Sequence, residues 1–409
     1  MGALDGKRVL LCVGGGIAAY KSAELVRQFI AAGASVQVAM TKAALEFISP
    51  LTLQTLSKQR VATDILSVSD DAEIGHIRIG DEADAVIVAP ATAGLISRMA
   101  SGMADDVVTA ALLVTTAPVV VAPAMNTNML EHPAVRENLD RLAGFGHRIV
   151  APDSGELACG YEGPGRLPDP RVLVEETVAA LSDRDLAGFR VLVSAGPTRE
   201  PLDPVRFISN RSSGRMGYAV AEAAHRRGAE VTLVSGPVAL APPRGCRVIH
   251  VETAAEMNEA MRAHVVASDL VVMVAAVADY RMAEVSPSKI KKHDGGLELA
   301  LERTEDILTG ISRARGRRVI VGFAAETEDL IENAVSKLTR KGLDLIVAND
   351  VTEEGSGFDT ETNSAVLIDA SGTQERTGLI AKTELAELIL DRSTGLLTER
   401  GLAASNGLR

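Results

Sequence analysis

The chain alternates short, almost unbroken apolar runs with glycine-marked polar turns and with longer stretches whose apolar residues recur at helical spacing. Residues 7–13 (KRVLLCV) form one such run, followed by Gly14, Gly15 and Gly16 and a helical pattern that reaches Ala32. Residues 190–195 (RVLVSA) begin the same way, leading to Gly196, a polar loop and a helical pattern over 217–227. Each is succeeded by Gly-Ala and a new run, 35–40 in the first half and 230–235 in the second. Strand, turn, helix, strand is the βαβ unit, and strands apolar along their whole length predict parallel sheets covered on both faces.

Runs at 83–89, 118–123 and 147–150 continue the first set, and runs at 248–251, 269–277, 318–323 and 343–348 continue the second. The pattern predicts an α/β chain of two doubly wound parallel-sheet domains with right-handed crossovers, the C-terminal one Rossmann-like. A helix beginning at Arg171 is followed by a polar stretch at 183–188, which sets the boundary and gives domains of 1–185 and 186–409. Small and polar residues from Ser393 onward, 393–409, predict a frayed tail. Ligands of such sheets bind beyond the carboxyl ends of the strands, so the informative residues are those that follow each run.

Composition narrows the function classes. The 409 residues exceed one ordinary core, and 46% hydrophobic against 23% charged residues is the balance of a packed globular protein. A formal charge of −12 repels a polyanion, so nucleic acid is not expected as a partner. Cys12, Cys159 and Cys246 are too few and too scattered for a disulfide framework or a zinc cluster, which points to a reducing cytoplasm. Neither a signal peptide nor an apolar run of about 20 residues is visible, so no membrane span is expected. The compact cluster of Lys289, Lys291 and Lys292 is sized for a single small anion such as a triphosphate.

In the first half, Gly14 to Gly16 offer bare backbone amides where a phosphate can approach a helix start. They are not the dinucleotide fingerprint, because the position that would need glycine holds Ala19. Thr41 and Lys42, then Pro90 to Thr92, then Ser101 to Asp106 follow the next strands. These hydroxyls and amides suit FMN, with Gly15, Gly16, Thr41, Pro90, Thr92, Ser101, Ala104 and Asp105 as its contacts. Three further segments carry chemistry: His76, residues 123–129 (PAMNTNM) and residues 158–166 (ACGYEGPGR). Taken singly, they fit equally a capping histidine, a turn-forming asparagine and an inert cysteine.

Together these segments resemble the flavin-containing cysteine decarboxylases, which act on phosphopantothenoylcysteine and on peptide C-terminal cysteines, over residues 5–180. The resemblance implies a flavodoxin-like fold, bound FMN, and trimers with the flavin near a subunit interface. It implies that His76 orients substrate and assists proton removal, that Asn126 holds the carboxylate, that Met129 contacts substrate and that Cys159 is the proton donor. An aromatic commonly follows the family's asparagine segment; Leu130 stands here, which bears on substrate packing. The chemistry needs the flavin because an aminothiol carboxylate has no electron sink. Oxidation to a thioaldehyde supplies one, carbon dioxide then leaves an enethiolate, and hydride return makes the sequence redox neutral.

In the second half, Pro201 and Pro204 set an extended path before Arg206, and Ser212, Ser213 and Gly214 meet the next helix as a cradle for a terminal phosphate or as a solvated serine turn. Asp279, the 289–292 lysines, residues 322–327 (GFAAET), and Lys337 and Lys341 four residues apart suit a nucleoside triphosphate with magnesium. No Walker A sequence occurs. Residues 188–392 resemble phosphopantothenate-cysteine ligase, through SAGPTREPLDPVRFISNRSSGRMG, AAVADYR, KIKK, GFAAET and AND in that order. The fusion of both families matches a bacterial bifunctional arrangement.

This second resemblance implies CTP as co-substrate, an acyl-cytidylate intermediate, a dimeric ligase domain, and 4'-phosphopantothenate and cysteine as substrates. Asn210 and Lys289 take the catalytic roles it implies. Arg206, Asn210, Ser212, Gly214, Met216 and Ala276 would contact phosphopantothenate. Met273, Val274, Ala275, Asp279, Lys289, Asp306, Ile307, Leu308, Thr309, Phe323, Lys337 and Lys341 would contact CTP, and Asp279 would be the protein's ligand to Mg2+. Trimeric and dimeric contacts in one homo-oligomer would combine into a dodecamer. Two other classes, a non-catalytic regulatory flavoprotein and a tandem pyridine-nucleotide oxidoreductase, are disfavoured by the His, Asn and Cys set, by the lysine series and by the missing glycine fingerprint.

Overall fold

The computed structural model describes residues 3–65, 75–158, 160–291, 297–314, 316–326, 329–350, 353, 355–357 and 359–402. By its contacts the chain divides into two units, Met1–Ser182 and Asp183–Arg409.

The first unit is built on five parallel strands, β1 (Arg8–Val13), β2 (Ser35–Met40), β3 (Ala85–Ala91), β4 (Val119–Pro123) and β5 (Arg148–Ile149), in the order β2-β1-β3-β4-β5. That is the flavodoxin-like order. The unbroken apolar runs follow from two-sided burial. Val9, Leu11 and Val13 of β1 face a core with Leu25, Phe29 and Leu173, while Leu10 and Cys12 face the opposite core with Leu95, Ile96 and Val108. Helices α1 (Ser22–Ala31), α2 (Pro50–Ser57), α3 (Gly75–Asp81), α4 (Ala93–Ala100), α5 (Val107–Val114), α6 (Thr127–Glu131), α7 (Pro133–Gly144) and α8 (Pro170–Leu181) connect and cover the strands. A glycine-rich hairpin of β6 (Asp153–Glu156) and β7 (Glu162–Arg166) lies outside the sheet.

One expectation changes here. The glycine triplet does not open an α-helix directly, because a 3-10 turn at Ile17–Lys21 intervenes and α1 begins only at Ser22. Glycines lose much conformational freedom in a regular helix, so the ladder starts beyond them.

The second unit carries β8 (Arg190–Ala195), a hairpin of β9 (Arg199–Pro201) and β10 (Phe207–Ser209), then α9 (Arg215–Arg226), β11 (Glu230–Ser235), β12 (Arg247–His250), α10 (Ala254–Val265) and β13 (Leu270–Met273). There follow a hairpin of β14 (Tyr280–Met282) and β15 (Leu301–Arg303), then α11 (Ile307–Arg313), β16 (Val319–Glu326), α12 (Leu330–Lys341) and β17 (Leu345–Asp350). Six of these strands run parallel in the order β12-β11-β8-β13-β16-β17, which is Rossmann-like.

The sheet is not purely parallel. β18 (Thr362–Asp369) and β19 (Gln374–Ala381) extend it antiparallel to eight strands. β19 alternates between exposed and half-buried positions, so this edge strand has no apolar run to betray it. The predicted frayed tail is also different: α13 (Lys382–Glu399) packs on α9, with Ser393 fully buried and its hydroxyl donating to the Ile389 carbonyl at 2.6 Å. Leu385, Ile389, Leu390 and Leu397 give that helix a buried stripe. Among the described residues no helix is long and apolar enough to cross a membrane.

Candidate functional site

Each unit holds a cavity beyond the carboxyl ends of its strands. The first, about 820 Å³, is lined by Gly15, Gly16, Lys21 and Thr92, by Ala124 to Asn126 with Met129, and by the hairpin residues Glu156, Leu157, Ala158, Gly160, Gly165 and Arg166. Two glycines are required here by close approach. A Cβ on Gly14 would lie 2.4 Å from the Pro90 carbonyl oxygen, and one on Gly15 would lie 2.3 Å from the Ala43 Cβ. Thr92 caps α4, its hydroxyl accepting from the Leu95 amide at 3.4 Å, and still borders the cavity.

The structure brings two of the sequence segments together. Asn126 caps α6 by accepting from the Asn128 amide at 2.9 Å, and the Met125 amide donates to the Gly165 carbonyl at 3.0 Å. Thr127 donates to the Pro164 carbonyl at 2.8 Å, and a Cβ on Gly165 would stand 2.1 Å from the Met125 oxygen. Asparagine segment and glycine hairpin therefore form one wall. Cys159 lies outside the described residues; Ala158 and Gly160 border that wall.

Other expected residues are not gathered in. His76 sits on α3 with its Nδ1 buried and without a partner among the described residues, and it does not border this cavity. Thr41 is buried, accepting from the Ala44 amide as the cap of a short 3-10 turn. Pro90 meets Gly14 through its backbone oxygen instead of facing the cavity. Ser101, Ala104 and Asp105 lie on an exposed loop, where the Arg98 guanidinium pairs with Asp105 and Asp106. That pairing holds the Asp105 carboxyl below its ordinary range. Ile17 and Tyr20, which sequence reasoning passed over, line the cavity while 61% and 60% exposed, and their signal was only their place just after the glycines.

The second cavity, about 560 Å³, lies where β8, β13 and β16 end above the start of α9. β13 stops at Met273, short of the expected residue 277, because hydroxyls take over its backbone. Ser194 accepts from the Val274 and Ala275 amides at 3.2 Å each, and Thr198 accepts from the Ala278 amide at 3.0 Å. Asn210 donates through Nδ2 to the Val277 carbonyl at 2.8 Å. The 274–278 segment is thus pinned to the loop that carries Asn210.

At the opposite wall, Gly214 adopts φ +78° at the start of α9, which has no side-chain cap, and its amide donates to Ser212 Oγ at 3.3 Å. A Cβ on Gly217 would stand 2.5 Å from that of Ala195, so α9 meets β8 closely. Asn210, Ser212, Gly214, Met216, Val274, Ala275, Ala276, Asp279, Phe323 and Lys337 all border this cavity, and Lys337 Nζ donates to the Phe323 carbonyl at 2.8 Å.

The remaining residues lie off it. Met273 is nearly buried in the core. Lys341 pairs with Asp306 and donates to Thr309 Oγ1 at 2.8 Å, at the start of α11, where Ile307 is buried and Leu308 half-buried. Burial opposes ionisation of Asp306, but Lys341 and the Thr309 amide outweigh it and hold the carboxyl low. Lys289 is exposed and borders neither cavity. Arg206 directs its guanidinium to Asp203 and to the Ile290 carbonyl and does not border the cavity. Residues the sequence reading missed, Asn363 and Lys382, close the far side. Lys382 is 6% exposed and donates to the Gly357 and Thr360 carbonyls at 2.8 and 2.6 Å. Burial pushes its ammonium pKa down, Arg215 adds to that, and Glu361 and Asp359 oppose it.

The sequence matches two family descriptions, "Flavoprotein" over residues 2–182 and "DNA/pantothenate metabolism flavoprotein C-terminal domain" over residues 186–396. It is 46% identical over 402 residues to the coenzyme A biosynthesis bifunctional protein CoaBC of Bacillus subtilis (strain 168), covering 97% of this chain and 99% of that one. To the protein of the same name from Escherichia coli (strain K12) it is 48% identical over 395 residues, covering 94% and 97%. Among solved structures, the C-terminal domain of a CoaBC protein is 41% identical, covers 53% of this chain and all of that chain, and has a TM-score of 0.46. With both halves matched in order and identity near one residue in two over almost the full length, this chain belongs to the family of bifunctional coenzyme A biosynthesis proteins.

Proposed function

We propose that this chain makes 4'-phosphopantetheine in two steps: its second unit joins 4'-phosphopantothenate to cysteine at the cost of CTP, and its first unit decarboxylates the product with FMN. The observation that carries this reading is a cavity at a sheet's carboxyl end in each unit, the first walled by the asparagine segment and the glycine hairpin, the second by residues 210–217 and the 274–277 backbone.

The first cavity fits FMN. Gly15 lets the turn at 42–46 close against the glycine loop, Gly16 borders the cavity without a side chain, Lys21 and Thr92 offer polar contacts, and Met125 and Leu157 give apolar surface for a ring. When bound, FMN supplies the oxidation that makes decarboxylation possible and the hydride that reverses it. Asn126, held by its capping bond, presents its amide to the substrate carboxylate. Cys159 delivers the proton that completes the thiol product. His76 reaches this chemistry in a homo-oligomer, where a neighbouring subunit covers the exposed Ile17 and Tyr20. Trimeric contacts of this unit and dimeric contacts of the other give the dodecamer.

In the second cavity the uncapped start of α9, with Ser212 and Gly214, receives the phosphate of phosphopantothenate. The pinned 274–277 backbone, Phe323 and Lys337 receive the nucleotide, and Asp279 meets the Mg2+ that arrives on its phosphates. A carboxylate resists amine attack until one oxygen becomes a leaving group. Transfer of CMP provides that, with Lys289 offsetting charge on the departing pyrophosphate and Asn210 supporting the acyl-cytidylate. The few and scattered cysteines favour a cytoplasmic setting for these reactions.

The test is incubation of purified protein with phosphopantothenate, cysteine, CTP and Mg2+. A yellow protein that releases pyrophosphate and yields a product lighter than the amide by one carbon dioxide supports the reading. A colourless protein that releases none overturns it. Cys159→Ser should accumulate decarboxylated product two hydrogens lighter than the thiol by mass spectrometry, and full turnover by that variant would refute the cysteine's role.

A further inference from the structure

Asp203 is the most heavily hydrogen-bonded carboxylate in the loop that follows β8, and its side chain is fully buried. Its Oδ1 accepts the backbone amides of Val205 at 2.8 Å and Arg206 at 2.9 Å. Its Oδ2 accepts Arg206 Nε at 3.0 Å and NH2 at 2.6 Å, and also the backbone amide of Ile290 at 3.0 Å, a residue 87 positions away. Arg206 NH2 donates in turn to the Ile290 carbonyl at 2.8 Å. Both backbone polar groups of Ile290 are therefore held by one ion pair. The Ile290 amide belongs to the same rigid peptide plane as the carbonyl of Lys289, so holding that amide orients Lys289 at its α-carbon.

Lys289 is itself exposed, and its backbone has few other anchors. The Ser286 amide donates to the Leu202 carbonyl at 3.1 Å, and the Ser286 hydroxyl to the Ser288 carbonyl at 2.7 Å. The first bond ties this segment to the turn at Leu202, and the second closes the segment on itself. The pairing with Arg206, reinforced by the Ile290, Val205 and Arg206 amides, holds the Asp203 carboxyl far below the usual carboxylate range, so the anchor stays charged at any working pH.

We infer that Asp203 is a positioning residue for the ligation step, acting through Arg206 and the Ile290 peptide to aim Lys289 at the triphosphate. This rests on the nucleotide role proposed above for Lys289. It also gives Arg206 a different part from a direct substrate contact: the guanidinium is the second half of the clamp.

Asp203→Asn tests this. The asparagine keeps the volume and one acceptor oxygen, but it turns an amide donor toward the donors of Arg206 and Ile290. CTP binding to the full-length protein with Mg2+, measured by calorimetry, should weaken about tenfold, while phosphopantothenate binding and decarboxylation of supplied phosphopantothenoylcysteine stay within about twofold. The deciding measurement is a cycle with Lys289→Gln: the double variant should bind CTP no more weakly than Lys289→Gln alone. Losses that add, or a fall in phosphopantothenate binding equal to that in CTP binding, would show that Asp203 only stabilises the loop. Ile290→Pro serves if Asp203→Asn does not fold, since proline removes the single amide in question and leaves the ion pair intact. It should reproduce the CTP loss, and unchanged affinity would overturn the inference. A wild-type protein that never releases pyrophosphate would instead overturn the ligase reading itself.

Discussion

Single residues matter here mostly where backbones approach one another. Gly15 has an ordinary negative φ, so nothing in its local conformation demands glycine; the demand comes from Ala43, whose backbone carbon would stand 2.6 Å from an added Cβ. Gly15→Ala must therefore move the turn at 42–46 or the glycine loop itself. We expect it to weaken flavin retention about tenfold, equivalent to ~1.4 kcal/mol, read as flavin absorbance per polypeptide after dialysis. Undiminished colour would remove Gly15 from the cofactor cradle. The thiols show the opposite situation. Cys12 lies in the core beneath the sheet and burial raises its pKa strongly, while burial, with Glu222 adding, pushes Cys246 up to about 12. Both are packing residues, and neither is a nucleophile at neutral pH.

Elements are held in place by caps and by a few long-range clamps. α10 begins with a complete capping box: Thr253 accepts from the Glu256 amide at 3.2 Å, and Glu256 accepts from the Thr253 amide at 3.4 Å. Glu256 also takes the Glu252 amide at 2.6 Å. Thr253→Ala should cost about 1 kcal/mol, seen as a lower urea midpoint with an unchanged slope. No change in midpoint would mean that tertiary packing alone sets the helix start. At the other end of the unit, Arg227 reaches Asp185 at 2.8 Å and Asp391 at 2.7 Å, tying the segment that leads into β8 to α13. α13, whose residues from Ser393 onward were expected to fray, is thereby fastened by charge as well as by its apolar stripe.

At the level of the whole molecule, two units, each with a cavity at its strand ends, imply two activities that fail independently. Lys289→Gln should abolish acyl-cytidylate formation and pyrophosphate release while supplied phosphopantothenoylcysteine is still decarboxylated at the wild-type rate. Loss of both activities in that variant would mean that the units are coupled. Such independence also fits the family pattern, in which one description matches residues 2–182 and another matches 186–396 with almost nothing between.

The apolar runs sufficed to predict the parallel strands of both sheets and the strand ends where ligands gather, because a strand buried on both faces leaves its mark at every position. They were silent about β19, which is wetted along much of its length, and about the end of α13, where small and polar residues from Ser393 onward read as a tail until α9 supplies the surface the helix packs on. Motif residues such as Asn126 and Ser212 were legible because they stand just after strands, and Phe323 because it lies at the carboxyl-terminal part of one. Only tertiary structure could show that Lys382 and Asn363 close the second cavity, that Asp203 reaches across 87 residues to Ile290, and that Arg206 is engaged in that clamp. Local sequence carries the periodicity of burial, whereas the partner of a buried charge depends on which distant segments the fold brings within hydrogen-bonding distance.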